Sequence, residues 1–145
     1  MTTNPYVNAG DQYLTQLVGG ASPEKLMALL LEAGQRFLGQ SIQAIRANDI
    51  EGRSRYVNRV SAIVEELTTR LNFEDGGEVV DNLVRLYDWW TFELMAASTE
   101  NSVPRLERVS QQMGAMRESW EGLHVKNQCS QPAQGQATLV QGLVG

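Results

Sequence analysis

The sequence predicts an all-α protein: an antiparallel up-and-down four-helix bundle with an N-terminal surface segment and a flexible C-terminal tail. Three observations carry that expectation. Four stretches place apolar residues three and four positions apart, the connections between them are short and turn-rich, and no stretch alternates apolar with polar residues as a half-buried strand would. The expected division is 1–21 as a cap or lid, 22–124 as the bundle and 125–145 as a disordered Gln- and Gly-rich tail.

Residues 1–21 are polar and end in Gly19-Gly20, yet they carry Tyr6, Tyr13, Leu14, Leu17 and Val18. A segment too short to build its own core but holding such groups is expected to lie along another surface, that of the bundle included.

The first helix opens at Ser22-Pro23, where Ser22 caps free backbone NH groups and Pro23 takes the first helical position at no cost in hydrogen bonds. Leu26, Leu30, Ala33 and Phe37 form one apolar row; Met27, Leu31, Leu38, Ile42 and Ile45 form another. Two adjoining rows make a stripe wider than a single partner helix fills. Gly34 and Gly39 each weaken an isolated helix by about 1 kcal/mol against Ala, so tertiary packing must hold it or a close contact must use the missing side chains. Asn48 and Asp49 favour local turn bonds and end the helix near Ala47.

From about 50 to 72, Val57, Val60, Ile63 or Val64, Leu67 and Leu71 give the cleanest amphipathic pattern in the chain. Phe73-Glu74-Asp75-Gly76-Gly77 makes a turn with two glycines able to take positive φ. The third helix spans about 78–98 along Val79 or Val80, Leu83, Leu86 or Tyr87, Trp90, Leu94 and Ala97. Trp89 shares a row with Leu86 and Glu93, which makes Trp90 the core tryptophan and Trp89 a flank or groove residue. Ser102 caps a fourth helix with Pro104 in its first turn; Leu106, Val109, Met113, Met116, Trp120 and Leu123 form its buried face.

No charged side chain occurs from Asn127 to Gly145, and little there can order a core. Leu139-Val140 and Leu143-Val144 are the exception. They are either sticky without structure or one face of a short helical turn that docks on the bundle.

Composition excludes several functions. With 145 residues and 42% apolar content, one domain with a real core is expected. A formal charge of −5 with scattered Lys and Arg argues against nucleic-acid binding. No apolar run suits a bilayer and the start MTTNPYVN lacks signal-peptide features, so a cytoplasmic protein without membrane contact is expected.

Catalytic and metal-binding groups are sparse. Cys129 is the single cysteine and His124 the single histidine; no Glu-x-x-His pair occurs, and Gly76-Gly77 lacks the Lys and Ser or Thr of a phosphate loop. Glu65, Glu66, Asp81, Asp88 and Glu93 are expected on solvated helix faces. No catalytic residue, metal or cofactor is expected, and phosphotransfer through His124 is disfavoured by its place at a helix end. What remains is surplus apolar surface, either core throughout or a groove for a partner's amphipathic segment.

Over about residues 6–123 the chain resembles the flagellin export chaperones, the FliS family. The resemblance rests on Tyr13, on Ala21-Ser22-Pro23 with Leu26, on Gly76-Gly77-Glu78, on Leu86-Tyr87-Asp88-Trp89 and on Trp120. Two positions depart from the family pattern: Leu31-Glu32-Ala33 stands where Tyr-Asp-Gly is usual, and Phe92-Glu93-Leu94 where Arg-Arg-Leu is usual. The resemblance implies a cytoplasmic bundle, monomeric or weakly dimeric when free. It would bind the disordered C-terminal segment of flagellin one to one, with the flagellar export gate as a further partner. On that reading Leu30, Leu31, Phe37, Leu86, Trp89 and Phe92 are groove residues and Tyr13, Leu14 and Leu17 a displaceable lid. The rival is a helical adaptor or self-associating bundle that uses the same surface for another amphipathic helix.

Overall fold

A computed structural model describes residues 22–74 and 76–129. These residues form four helices: α1 (Pro23–Arg46), α2 (Ile50–Thr69), α3 (Gly77–Glu100) and α4 (Val103–Cys129). The predicted N-terminal lid and the tail beyond Cys129 lie outside the described residues.

Three of the four helix starts follow from a side-chain cap, and α3, which begins after Gly76, has none. The Ser22 hydroxyl accepts the Lys25 NH at 3.2 Å ahead of Pro23, and the Asp49 carboxylate accepts the Gly52 NH at 3.0 Å. Ser102 Oγ accepts the Arg105 NH at 3.4 Å. Asn48 (φ 57) and Asn101 (φ 54) take the left-handed conformation that reverses the chain between helices, one that Asn tolerates better than most residues.

Two boundaries and one turn differ from expectation. α2 stops at Thr69 rather than near 72. Asn72 offers the backbone a competing partner there, its side-chain oxygen accepting the Glu74 NH at 3.1 Å while its carbonyl accepts the Gly76 NH at 3.0 Å. Of the two glycines in the turn that follows, Gly77 takes positive φ; Gly76 has φ −81 and is needed for space, since a Cβ there would overlap Val80 Cγ2. α4 continues through Cys129, five residues past the expected boundary at 124. Nothing in Val125–Cys129 opposes a helix, and the first residue that does so strongly is Pro132.

The helices pack as a ring in chain order, with α1 and α3 on the diagonal. α1 has the closer and longer contacts, against α2 and α4, whereas α3 packs more sparsely on its two neighbours. Gly34 explains part of the difference: a Cβ there would lie 2.8 Å from Met113 Sδ of α4, so the glycine lets the two helices approach. Gly39 meets nothing within 4 Å, and its missing side chain serves no contact. The core takes Leu26, Leu30, Leu31 and Leu38 from α1, Val60 and Leu67 from α2, Tyr87, Trp90 and Leu94 from α3, and Leu106, Val109 and Met113 from α4. Burying each such side chain stabilises the fold by about 1.5–3 kcal/mol.

Candidate functional site

α3 carries apolar residues on more of its circumference than its neighbours cover. Val79, Leu86 and Glu93 recur every seven residues and so share a face. Glu93 identifies that face as the one turned toward α4, because its carboxylate meets Arg105 Nη1 at 2.6 Å. On α4, Arg105, Gln112, Met116 and Leu123 form the answering row, with Gln112 Oε1 accepting the Trp90 indole NH at 2.7 Å. Because the helices are antiparallel, Leu123 lies near the start of α3.

The two rows create a seam with unequal ends. At the α3 C-terminal end it is polar and closed: Glu93 is only 3% exposed, its Oε1 has no hydrogen bond, and Arg108 Nη1 lies 3.6 Å from that oxygen. Arg105 also reaches Glu100 at 3.3 Å. The expectation that Glu93 lies on a solvated face is therefore corrected. Its row faces α4, and two arginines supply the countercharge without which a buried carboxylate would be costly. At the other end the seam is apolar: Leu83, Leu86, Met116 and Leu123 are half-buried and Val79 is exposed. Tyr87 sits beneath, its hydroxyl 3.8 Å from Met116 Sδ. Burial pushes the phenol up to about 12, so it is neutral at ordinary pH.

Trp89 is half-buried at the solvent side of this seam, and Phe92 (62% exposed) and Met95 (66% exposed) continue an apolar strip around the outer face of α3. Isolated exposed apolar residues are ordinary, but three of them spaced three apart on one helix form a contiguous patch.

The six residues expected in a groove do not come together. Leu86, Trp89 and Phe92 are neighbours on α3. Leu30 and Leu31 have 0% exposure and belong to the core in this structure. Their two rows meet at the middle of α1, where α2 and α4 converge on the helix, so both face inward. Phe37 is half-buried at the α1–α2 junction, away from α3, stacked on Tyr56 with centroids 6.4 Å apart. Arg59 lies over both rings at 5.4 and 5.6 Å. Tyr13, Leu14 and Leu17 lie outside the described residues. Sequence reasoning missed Val79, Leu83, Met116 and Leu123 as seam residues and Met95 as strip; the seven-residue recurrence Val79–Leu86–Glu93 was the available signal for the first.

Among the described residues no group of three or more His, Cys, Asp or Glu is placed to hold a metal ion, and no helix is long and apolar enough to cross a membrane. His124 Nδ1 is 3.0 Å from Ser22 Oγ, so it ties the end of α4 to the cap of α1.

Comparison with known proteins gives the family. The family described as flagellar protein FliS matches residues 6–127. The flagellar secretion chaperone FliS of Campylobacter jejuni is 36% identical over 116 residues, covering 80% of this chain and 91% of that protein. The flagellar secretion chaperone FliSB of Pseudomonas aeruginosa is 30% identical over 106 residues, 73% of this chain and 84% of that one. The FliS chaperone of Bacillus subtilis is 25% identical over 118 residues. These relatives are named as chaperones and not as enzymes. The bundle, the match across most of the chain and these relatives together establish that the chain belongs to the FliS family.

Proposed function

We propose that this chain is a cytoplasmic export chaperone that binds the disordered C-terminal segment of flagellin, holding it from polymerising and keeping it competent for flagellar type III secretion. The observation that carries the reading is the uncovered apolar surface of α3 and the adjoining edge of α4, formed by the seam at Leu83 and Leu86 of α3 with Met116 and Leu123 of α4 and by the strip at Trp89, Phe92 and Met95, in a family whose relatives are named secretion chaperones.

A disordered ligand loses about 2–5 kcal/mol of the gross interaction on ordering, so it needs a long apolar contact. Seam and strip run beside one another along α3, and the adaptable methionines Met95 and Met116 suit a segment that is partly helical and partly extended. The closed polar end at Glu93, Arg105 and Arg108 limits the apolar run and sets the register. In this reading Leu86, Trp89 and Phe92 touch the ligand, Phe37 does not, and Tyr13, Leu14 and Leu17 form a lid that the ligand displaces. The export gate would then receive the loaded complex.

The test is a polymerisation assay. Equimolar chaperone should hold monomeric flagellin in a one-to-one complex and suppress filament growth, and a Leu86→Ser, Trp89→Ser variant that remains folded should lose that effect. Unimpeded polymerisation with the unaltered chain would overturn the reading, and a concentration-dependent homo-oligomer without flagellin affinity would favour a self-associating bundle.

A further inference from the structure

We propose that the chain's own C-terminal residues Leu139, Val140, Leu143 and Val144 dock on the apolar end of the α3–α4 seam and compete there with the partner. The competition rests on reading the seam as the partner's site; the docking does not.

Position comes first. α4 delivers the chain out of the bundle at Cys129, six residues beyond Leu123, or about 9 Å at the helical rise. The apolar end of the seam is at this same end of the bundle, because Val79, Leu83 and Leu86 occupy the opening turns of α3, which runs antiparallel to α4. Residues 130–138 extend to about 30 Å at most, enough to turn and come back past Leu123.

Chemistry comes second. The tail has no charged side chain from Asn127 onward, so its side chains meet no repulsion from a chain of net charge −5. Its apolar residues come as two pairs four positions apart, a spacing that puts all four on one side of a helical turn. Such a turn spans about 8 Å, against about 10 Å between Val79 and Leu86 on α3. Tethering supplies an effective concentration in the millimolar range, so even a weak contact is populated. The bundle offers such a segment half-buried leucines and Met116 rather than a closed surface.

The experiment uses the full chain with Cys129→Ser and Gly142→Cys, spin-labelled at position 142. Selective broadening of the Leu83, Leu86, Met116 and Leu123 methyl signals, with Ile42 and Ile45 on α1 unaffected, is expected. It should vanish when Leu139, Val140, Leu143 and Val144 are all replaced by Ser. Broadening that is uniform, or unchanged by the serines, would overturn the docking. For the competition, the serine variant should bind a flagellin C-terminal peptide about two- to tenfold more tightly, as expected when a weak tethered competitor is removed. Equal affinity of the two chains would overturn the competition. If neither chain binds the peptide, the proposed function fails while the broadening still decides whether the tail docks.

Discussion

Replacing Arg105 by Met probes the closed end of the seam. Glu93 is 3% exposed and takes its shortest contact, 2.6 Å, from Arg105; the remaining cation, Arg108, lies 3.6 Å away with its own side chain 55% exposed. Removing one partner of a fully buried ion pair typically costs about 3–5 kcal/mol. Arg105 is about a third exposed and Arg108 stays, so solvent screening and the second cation reduce the expected loss to about 1–3 kcal/mol. Glu93→Leu paired with Arg105→Met leaves no buried charge unpaired and should recover much of that loss. Glu93→Arg sets three cations together here and should be the most damaging of the three variants. Urea unfolding followed by circular dichroism, read at unchanged m value, measures each. A double-mutant cycle with coupling below about 0.5 kcal/mol, or a fully stable Glu93→Arg chain, would refute the argument that the pair is a buried, mutually dependent unit.

Other consequences follow from single residues. Gly39→Ala has open space around it and should stabilise the chain by about 0.5–1 kcal/mol, whereas Gly34→Ala must displace Met113 and should gain less or lose; urea midpoints compare the two. Leu30→Ala should cost about 2–5 kcal/mol by opening a core cavity, while Trp89→Ala should leave the melting temperature within a few degrees and weaken flagellin-segment binding. Tyr87 titrates near 12 when folded and near 10 when unfolded, so its neutral form is favoured by folding. The stability tied to that group is intact below pH 10 and is lost as pH rises through 12. The loss approaches about 2–3 kcal/mol, and Tyr87→Phe should remove that part of the alkaline decline.

Much of the fold was legible because local chemistry and tertiary packing agree. Ser22-Pro23, Asp49 and Ser102 each act as the residue types demand, and the four apolar rows bury where their period places them. Legibility failed where a neighbour outside the local sequence decides the outcome. Asn72 organises the turn after α2 through its own side chain, a local signal outweighed by the apolar run before it. Glu93 is buried only because Arg105 and Arg108 on another helix meet it, and no periodicity on α3 alone shows that. Leu30 and Leu31 look like surplus surface while α1 is considered by itself. Once α2 and α4 close around it, aided by Gly34, that surface is core, and the uncovered surface shifts to the more sparsely packed α3.

The central claim is that α3 presents an apolar surface for the disordered end of flagellin. Calorimetric titration of the chain with a peptide of that segment, repeated at several temperatures, tests it most directly. The account predicts saturable one-to-one binding with a negative heat-capacity change of about a few tenths of a kcal/mol/K, as apolar burial requires, and its loss in the Leu86→Ser, Trp89→Ser chain. Absence of binding at high micromolar peptide, or binding with unchanged heat capacity that survives those two substitutions, would contradict it.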